Sequence, residues 1–246
     1  MINIDDWAPS KFVFHRGHLR ATRDTRELNV ASRLIADLTA RLYEEYIPAC
    51  CRGKLIDLGC GKVPFFEAYR GYFDSVTCVD WPGSAHGSQF IDVAHDLTKP
   101  LPFPDQEFDT VLLSDVLEHI PEPQQLCNEM ARILRPGGVC LMNTPFFYWL
   151  HEIPNDYYRF TEFAIRKLLE NASFEIVVVK ATGGTPEILT DILAKHISQI
   201  PVLGNPAAAA LQWITGIFVR TLPGRKISMS TARSFPLSYF VVAKKK

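Results

Sequence analysis

Residues 54–61 read KLIDLGCG and decide the fold, because a short apolar run leads directly into a turn that carries two glycines. Glycine lets the backbone approach a ligand closely and leaves the N–H groups of a following helix free to face it. In open α/β sheets, ligands bind beyond the carboxyl ends of the strands. This stretch therefore predicts a buried strand followed by a binding turn.

Short apolar runs of the same kind recur along the chain. Outward from residues 54–58 they occur at 76–79, 90–93, 108–114, 139–143, 175–179 and 239–242. Helical patterns lie between them at 124–134 and 161–172, and another helix precedes them from Thr25 until Pro48 limits it. Nearly continuous apolar strands alternating with helices are typical of a sheet covered on both faces. We expect an α/β fold with a Rossmann-like, doubly wound, mostly parallel sheet.

One domain is predicted over all 246 residues, which is a common size for a single α/β domain. Its expected parts are an N-terminal helix at 25–50, a cofactor-binding core at 54–182, a helical insertion or lid at 183–234, and a last strand with a basic tail at 235–246. The connection at 81–89 is shorter than the dozen or so residues that a helical crossover needs, so a loop is expected there.

Charge and composition argue against several classes of protein. Lys and Arg total 26 and Asp and Glu 27, a balance that predicts no binding of nucleic acid. The six cysteines include no CxxC pair and no zinc spacing, and a reducing, cytoplasmic compartment fits them best. No run reaches the roughly 18 uncharged apolar residues of a spanning helix, and the N-terminal segment lacks the apolar region of a secretory signal.

The turn at 59–61 lacks the third glycine of the dinucleotide fingerprint, which argues against pyrophosphate binding. Asp80 ends the next predicted strand, where a carboxylate can accept hydrogen bonds from both hydroxyls of a ribose. The two features together favour a cofactor that contains a ribose and is held by a glycine turn. The missing glycine and the segment LPFPDQEFD at 101–109 argue against a nicotinamide-dependent oxidoreductase.

Further motifs follow in a fixed order: Asp96-Leu97, LPFPDQEFD at 101–109, VLEH at 116–119 and LRPGG at 134–138. Together with DLGCG at 57–61 and Asp80, this series resembles the class I S-adenosylmethionine-dependent methyltransferases over about residues 54–179. The resemblance is to the small-molecule group that includes ubiquinone- and menaquinone-pathway enzymes. It implies S-adenosyl-L-methionine as the cofactor and a seven-stranded sheet whose last strand is antiparallel. Val63 departs from the family, in which a glycine is common at that position.

The resemblance also implies roles for single residues. The turn would cradle the amino acid end of the cofactor, Asp80 would bind the ribose, and Trp81 would lie against the adenine. Asp96 would reach the adenine amino group beside the Leu97 backbone, and Ser114 would line the methionine side. The residues implied to bind the cofactor are thus Asp57, Gly59, Cys60, Gly61, Asp80, Trp81, Asp96, Leu97 and Ser114.

Asp115, Glu118 and His119 are close enough on a helical turn to converge. A carboxylate and an imidazole can bind a divalent metal, and some ubiquinone-pathway enzymes resemble this segment and use it so. The alternatives are a structural pair of Glu118 with His119, and a general base at His119. We expect no metal and a catalytic role for His119.

HEIPNDYYRFT at 151–161 follows the fifth strand of the predicted sheet and should form a loop over the cofactor face. Functional residues favour such loops on a rigid scaffold. We predict that His151 is the base, since an unperturbed histidine titrates near neutral pH, and that Tyr158 contacts the acceptor. The alternative is a structural loop, in which Arg159 pairs with Asp156 and Thr161 caps the next helix.

These patterns predict a methyltransferase that acts on a small-molecule or lipid-like acceptor, with O- or N-methylation favoured over C-methylation. The rival hypotheses are an NAD-dependent oxidoreductase and a non-catalytic module that keeps the cofactor pocket. Residues 207–219 form an apolar segment that is followed by Arg220, Arg225 and Lys226. Core burial is the first expectation for this segment, and a membrane surface or a homodimer contact is the alternative.

Overall fold

A computed structural model describes residues 1–83, 87 and 89–246. The chain divides into two compact units. The sheet unit consists of Met1–Ala8, Glu45–Lys180 and Tyr239–Lys246, and the second unit consists of Pro9–Glu44 and Ala181–Ser238. The predicted division of one domain into a core, a lid and a tail stays a prediction.

The described residues form nine strands and seven α-helices. The strands are β1 Phe12–His15, β2 His18–Ala21, β3 Lys54–Leu58, β4 Ser75–Asp80, β5 Val93–Ala94, β6 Phe108–Ser114, β7 Leu134–Pro145, β8 Phe174–Thr182 and β9 Ser238–Lys245. The helices are α1 Arg33–Cys50, α2 Phe66–Tyr69, α3 Pro123–Ile133, α4 Glu162–Asn171, α5 Thr185–Ile197, α6 Gly204–Phe218 and α7 Leu222–Thr231. Short 3₁₀ turns lie at Ile4–Asp6, Val30–Ser32 and Leu117–His119.

The sheet unit contains one seven-stranded sheet in the order β5-β4-β3-β6-β7-β9-β8. β3 pairs in parallel with β4 and β6, β4 with β5, and β6 with β7, whereas the last strand is antiparallel. The central strands are almost wholly buried, as in the runs Leu55–Leu58 and 111–113. The predicted Rossmann-like fold is therefore confirmed, and the carboxyl ends of β3, β4, β6 and β7 lie at one edge of the sheet.

The N-terminal helix begins later than the sequence predicts. The Asp24 carboxylate accepts a hydrogen bond from the Arg26 N–H, and the Asn29 side chain accepts one from the Ala31 N–H. Local bonds of this kind offer the backbone an alternative to the helix, so α1 starts only at Arg33, after the 3₁₀ turn. At its other end α1 continues past Pro48 to Cys50, so the predicted stop at the proline is wrong.

Two strands also differ from their predicted bounds. The strand predicted at 90–93 forms only at Val93–Ala94. The strand predicted at 139–143 extends over Leu134–Pro145, so the LRPGG motif belongs to β7, which pairs with β6 across a register shift between Phe108 and Thr110. The helix-free crossover predicted at 81–89 falls partly on residues 84–86 and 88, which lie outside the described residues.

In the second unit, β1 and β2 form an antiparallel hairpin, and the predicted insertion contains the helices α5, α6 and α7. The expected core burial of residues 207–219 is wrong for the large side chains. α6 buries Ala208, Gln212 and Thr215, whereas Trp213, Ile214, Ile217 and Phe218 are exposed. Among the described residues, no helix has the length and apolar character that would let it cross a membrane.

Candidate active site

The predicted binding turn directly follows β3, and its shape requires a glycine at its start. Gly59 has a φ of 71°, in the left-handed region, and a side chain there would overlap the side chain of Val116. The N–H groups of Gly59 and Cys60 donate to the Val79 carbonyl at 2.8 and 3.1 Å. The turn is thus fastened to the end of β4 and approaches the segment that follows β6.

Asp80, at the end of β4, completes this turn. One carboxylate oxygen accepts from the Gly61 N–H and the other from the Trp81 N–H, each at 2.7 Å. The side chain is buried. An ionised carboxylate can accept several hydrogen bonds through its two oxygens. The structure therefore places Asp80 beside the glycine turn, as its predicted role requires.

Asp57 lies on β3 just before the turn and is buried. The Tyr69 hydroxyl donates to its carboxylate at 3.1 Å. Burial raises the pKa of Asp57 to about 7, since the desolvation of the charged form and the nearby Asp80 outweigh the hydrogen bond from Tyr69. Asp57 therefore links the end of β3 to Tyr69 of α2.

The remaining predicted cofactor residues lie along the same edge of the sheet. Trp81 follows β4 directly and is half exposed, as a platform for an aromatic ligand would be. Asp96 follows β5 and accepts from the Thr98 N–H at 2.9 Å, a bond that lowers the pKa of this carboxyl. Leu97 is buried, and Ser114 is the last residue of β6, where it pairs with Asn143 of β7.

A carboxylate and two imidazoles meet beyond β6 and β7. Glu118, in the 3₁₀ turn after β6, is fully buried. Its Oε1 lies 3.7 Å from His151 Nε2 and 3.8 Å from His119 Nε2. The two imidazole rings are 4.7 Å apart and nearly perpendicular. Two of the predicted catalytic residues, His119 and His151, thus lie side by side next to the Glu118 carboxylate. The sequence analysis considered Glu118 only as a metal ligand or as a structural partner of His119.

The backbone fixes the orientation of His119, and a carboxylate lies beside the second imidazole. His119 Nδ1 lies 2.8 Å from the Asn155 carbonyl, so we assign its proton to Nδ1 and leave Nε2 as the acceptor. That Nε2 atom is buried and has no hydrogen-bond partner within the described part of the chain. His151 Nδ1 lies 3.3 Å from Asp156 Oδ2 and 3.3 Å from the Trp149 carbonyl. In both rings, Nε2 faces Glu118.

Charged neighbours set the protonation of this cluster. Burial by itself disfavours the imidazolium form, but Glu118 and Asp156 together raise the pKa of His151. Burial also raises the pKa of Glu118, which His151 partly offsets. Asp156 stays ionised because Arg159 clamps it with bonds of 2.6 and 2.7 Å and lowers the pKa of its carboxyl.

Hydrogen bonds hold the loop at 151–161 against the 3₁₀ turn. The N–H groups of Tyr157 and Tyr158 donate to the Glu118 carbonyl at 2.9 and 3.2 Å, and the Tyr158 hydroxyl donates to the Pro121 carbonyl at 2.8 Å. The Asp156–Arg159 pair is present, and Thr161 caps α4 by accepting from the Ala164 N–H. The structural alternative for this loop is therefore realised together with the approach of His151 to Glu118. Tyr158 contacts the 3₁₀ turn through its hydroxyl, and its ring is partly exposed.

The sequence interpretation missed Asn143, which lies in the buried part of β7. Its side-chain nitrogen donates to the Asp115 carboxylate, and its backbone carbonyl accepts from the Asp115 N–H at 2.8 Å. Asp115 is held at a φ of 53°, which is uncommon for a residue with a side chain. The available signal was an amide residue in an otherwise apolar strand, opposite Ser114.

The arrangement supports two kinds of chemistry. The ligand atoms of Glu118, His119 and His151 all lie within 4.8 Å of one another, so this set could hold a divalent cation. The same groups could accept a proton and stabilise the resulting imidazolium. Large apolar side chains are exposed in the adjoining segment, at Trp149, Leu150 and Ile153, and offer an apolar acceptor a surface to lie on.

Comparisons with known proteins identify one similar family and several similar proteins. A family described as a methyltransferase domain matches residues 56–142. A Mycolicibacterium smegmatis protein named "probable S-adenosylmethionine-dependent methyltransferase" is 35% identical over 146 residues, which cover 55% of this chain and 57% of that protein. An uncharacterized methyltransferase of Mycobacterium avium is 41% identical over 103 residues, 39% of this chain and 40% of that protein. The matched segments thus span 57% of the length of the first relative and 40% of the second.

Solved structures share the fold at low sequence identity. An S-adenosylmethionine-dependent methyltransferase from Archaeoglobus fulgidus has a TM-score of 0.54 at 20% identity, covering 88% of this chain and 93% of that one. The [4+2]-cyclase SpnF has a TM-score of 0.55 at 19% identity, covering 87% and 82%. One fold therefore accommodates different named activities. The matched domain, these relatives and the ordered motifs agree: over residues 56–142, this chain is similar to the class I S-adenosylmethionine-dependent methyltransferases.

Proposed function

We propose that this chain transfers a methyl group from S-adenosyl-L-methionine to a hydroxyl group of a small or lipid-like acceptor, and that His151 removes the acceptor proton. The observation that carries the proposal is the convergence of His151 on Glu118 beside an exposed apolar segment. When bound, the cofactor supplies an electrophilic methyl group on a sulfonium. The remaining work is done by residues of this chain.

Positioning is the first task. Transfer from a sulfonium is an in-line displacement, and holding the acceptor atom about 3–3.5 Å from the methyl carbon supplies much of the acceleration. The glycine turn and Asp80 would hold the cofactor at the carboxyl edge of the sheet, with Ser114 on its methionine side. Trp149, Leu150 and Ile153 would hold an apolar acceptor beside the histidines.

Proton removal is the second task, and it matters because a neutral hydroxyl is a weak nucleophile. Asp156 lies beside His151 Nδ1 and favours the tautomer whose Nε2 accepts a proton. Glu118 would stabilise the imidazolium that forms, since its carboxylate lies 3.7 Å from Nε2. An amine acceptor would use the same base. No observation favours the oxidoreductase hypothesis.

The test combines cofactor binding with turnover in the full chain. His151→Ala should bind S-adenosylhomocysteine with unchanged affinity in calorimetric titration. Its transfer of a labelled methyl group to a panel of phenols and long-chain alcohols should fall by about 10²–10⁴. His18→Ala is the matched control, because His18 is an exposed histidine of the hairpin in the second unit, and it should keep full activity.

Three outcomes would overturn parts of the proposal. Full activity in His151→Ala would remove this residue as the base and leave His119. Activity that is lost on chelation and restored by a divalent ion would assign the cluster to metal binding. Turnover of none of the hydroxyl or amine acceptors, despite tight binding of S-adenosylhomocysteine, would favour a module that binds the cofactor without catalysis.

A further inference from the structure

Two helices of the second unit, α5 and α6, bury polar side chains and expose large apolar ones. α6 buries small or polar residues and exposes large apolar ones, namely Trp213, Ile214, Ile217 and Phe218. Their spacing of one, four and five residues places them on one face of the helix. α5 repeats the pattern, since it buries Thr190, Asp191 and Lys195 while Leu189, Ile192 and Leu193 are exposed.

The buried polar side chains of α5 and α6 form hydrogen bonds within this unit. Thr190 and Thr215 share a hydrogen bond of 2.7 Å between their hydroxyls, and Lys195 donates to Asp191 at 2.6 Å. Gln212 bonds to the backbone of Ala31 and Leu34. The inward polar side chains thus have partners within this unit, and the outward apolar faces are not a misplaced core.

Apolar exposure continues through the connections between these helices. Val202 and Leu203, before α6, and Leu222, at the start of α7, are among the most exposed apolar residues of the described chain. Ile227 and Met229 of α7 add to this surface. We call this set, from Leu189 to Met229, the apolar surface. Large exposed apolar patches mark sites of interaction with a protein or a membrane.

The charges around the apolar surface have one sign. Between the start of α6 and residue 238, the exposed Lys and Arg residues are Arg220, Arg225, Lys226 and Arg233. The acids between residues 183 and 238 are Glu187 and Asp191, and both are buried. Glu187 is held by Ser228 and by the Gly184 N–H, and Asp191 by Lys195. Over this segment, exposed cations are thus opposed by no exposed acid.

We propose that the apolar surface and its cations bind the face of an anionic lipid bilayer. Apolar side chains enter the headgroup boundary while basic residues meet lipid phosphates, the combination that holds interfacial helices on membranes. An indole such as that of Trp213 favours this boundary. A second copy of the chain is the less suitable occupant, because it would bring the same four cations against one another.

The experiment is flotation of the purified full chain with two kinds of vesicle. Vesicles of phosphatidylcholine with about 30% phosphatidylglycerol should carry the protein upward, and vesicles of phosphatidylcholine alone should carry much less. Binding should weaken as salt is raised from about 0.1 M to about 0.5 M. On binding, tryptophan emission should shift to the blue, and Trp213→Phe should remove most of that shift.

Two variants and one control define the surface. The apolar variant is Ile214→Ser with Ile217→Ser, which removes apolar contact and should weaken binding. The charge variant is Arg220→Glu with Arg225→Glu and Lys226→Glu, which reverses three cations and should weaken binding on the order of a hundredfold. Phe163→Ser with Lys167→Glu is the control on α4, where both side chains are also exposed, and it should bind like the wild type. Circular dichroism and affinity for S-adenosylhomocysteine verify the fold of each variant.

Either of two results would overturn this proposal. One is a flotation experiment in which the wild type does not float with anionic vesicles, or in which the apolar and charge variants float as well as the wild type. The other is a dimer in light scattering that the Ile214 and Ile217 substitutions dissociate while vesicles bind nothing, which would assign the surface to a second copy. Neither result bears on methyl transfer, which is measured without vesicles.

Discussion

Asp80 does two things with one carboxylate, because it fastens the Gly61 and Trp81 N–H groups and would face the ribose of the cofactor. Removing it should therefore cost more affinity than a ribose contact alone would suggest. Its neighbour Asp57 is different, since its side chain is buried on β3 and accepts a hydrogen bond from Tyr69. The two acids at the ends of adjacent strands thus lend themselves to separate tests.

Asp80→Ala should weaken binding of S-adenosylmethionine by about ten- to a hundredfold or more. Hydrogen bonds to a charged acceptor are worth about 1.5–3 kcal/mol, and the backbone of the turn loses its anchor at the same time. Calorimetric titration with S-adenosylhomocysteine measures this loss. Wild-type affinity in the variant would mean that the cofactor site lies elsewhere.

Asp57 should make the stability of the protein depend on pH. The folded protein keeps a proton on Asp57 up to about pH 7, whereas the unfolded chain loses it near pH 4. The free energy of unfolding therefore falls as pH rises from about 4 to about 7, by about 1.4 kcal/mol for each unit between the two pKa values. Asp57→Asn lacks this contribution.

Urea denaturation of both proteins at about pH 5 and about pH 8 checks this expectation. The stability of Asp57→Asn relative to the wild type should improve between the lower and the higher pH. The same relative stability at both values would show that Asp57 ionises normally in the folded state.

At the scale of elements, the turn after β3 is tightly constrained by its backbone conformation and its close contacts. Gly59 combines a left-handed backbone with close contact to Val116. Val63, four residues later, adopts a φ of 51° although it is β-branched and fully buried. The glycine that is common there in the family would adopt this conformation freely, so the departure at Val63 is accommodated by backbone strain.

Gly59→Ala should destabilise the fold by about 2–5 kcal/mol, because a left-handed alanine costs about 1–2 kcal/mol and the overlap with Val116 adds about 1–3. Urea denaturation measures the loss. Gly71→Ala is the control, since a side chain at Gly71 would meet nothing within 4 Å and its φ is ordinary. Similar losses in both variants would contradict the argument from close contact.

The elements whose signals are local could be predicted from the sequence. β3 and β6 have their predicted bounds, and α4 begins at the predicted cap, because apolar runs and Thr161 act on their immediate neighbours. The start of α1 was missed, since the competing bonds of Asp24 and Asn29 leave no trace in the apolar spacing.

The candidate site could be predicted only in its cofactor half. Asp80 and the glycine turn follow from strand ends and motif order. The approach of His151 to Glu118 joins residues more than thirty positions apart and depends on the bonds from Tyr157 and Tyr158 to the Glu118 carbonyl. Such tertiary contacts leave no periodic pattern in the sequence. The sequence analysis therefore predicted His151 and His119 as catalytic residues but did not predict that both lie beside Glu118.

At the scale of the whole molecule, every predicted cofactor residue belongs to the sheet unit. Ligand binding stabilises only what it binds in the folded state. S-adenosylhomocysteine at about 100 times its Kd should add about 2.7 kcal/mol, which corresponds to a rise of about 5–10 °C in Tm for a chain of this size. Scanning calorimetry measures the rise, and Asp80→Ala should lack most of it at the same ligand concentration. If the wild type shows no rise, the ligand does not bind the folded sheet unit.

The reversed faces of α6 also bear on how this helix tolerates mutation. In most helices of globular proteins, large apolar residues are intolerant of change and small or polar ones are permissive. Saturation mutagenesis read out by cellular abundance should show the opposite order here. Ala208 and Gln212 should accept few substitutions, whereas Trp213 and Ile217 should accept charged residues with little loss, and several of those replacements should improve solubility during expression.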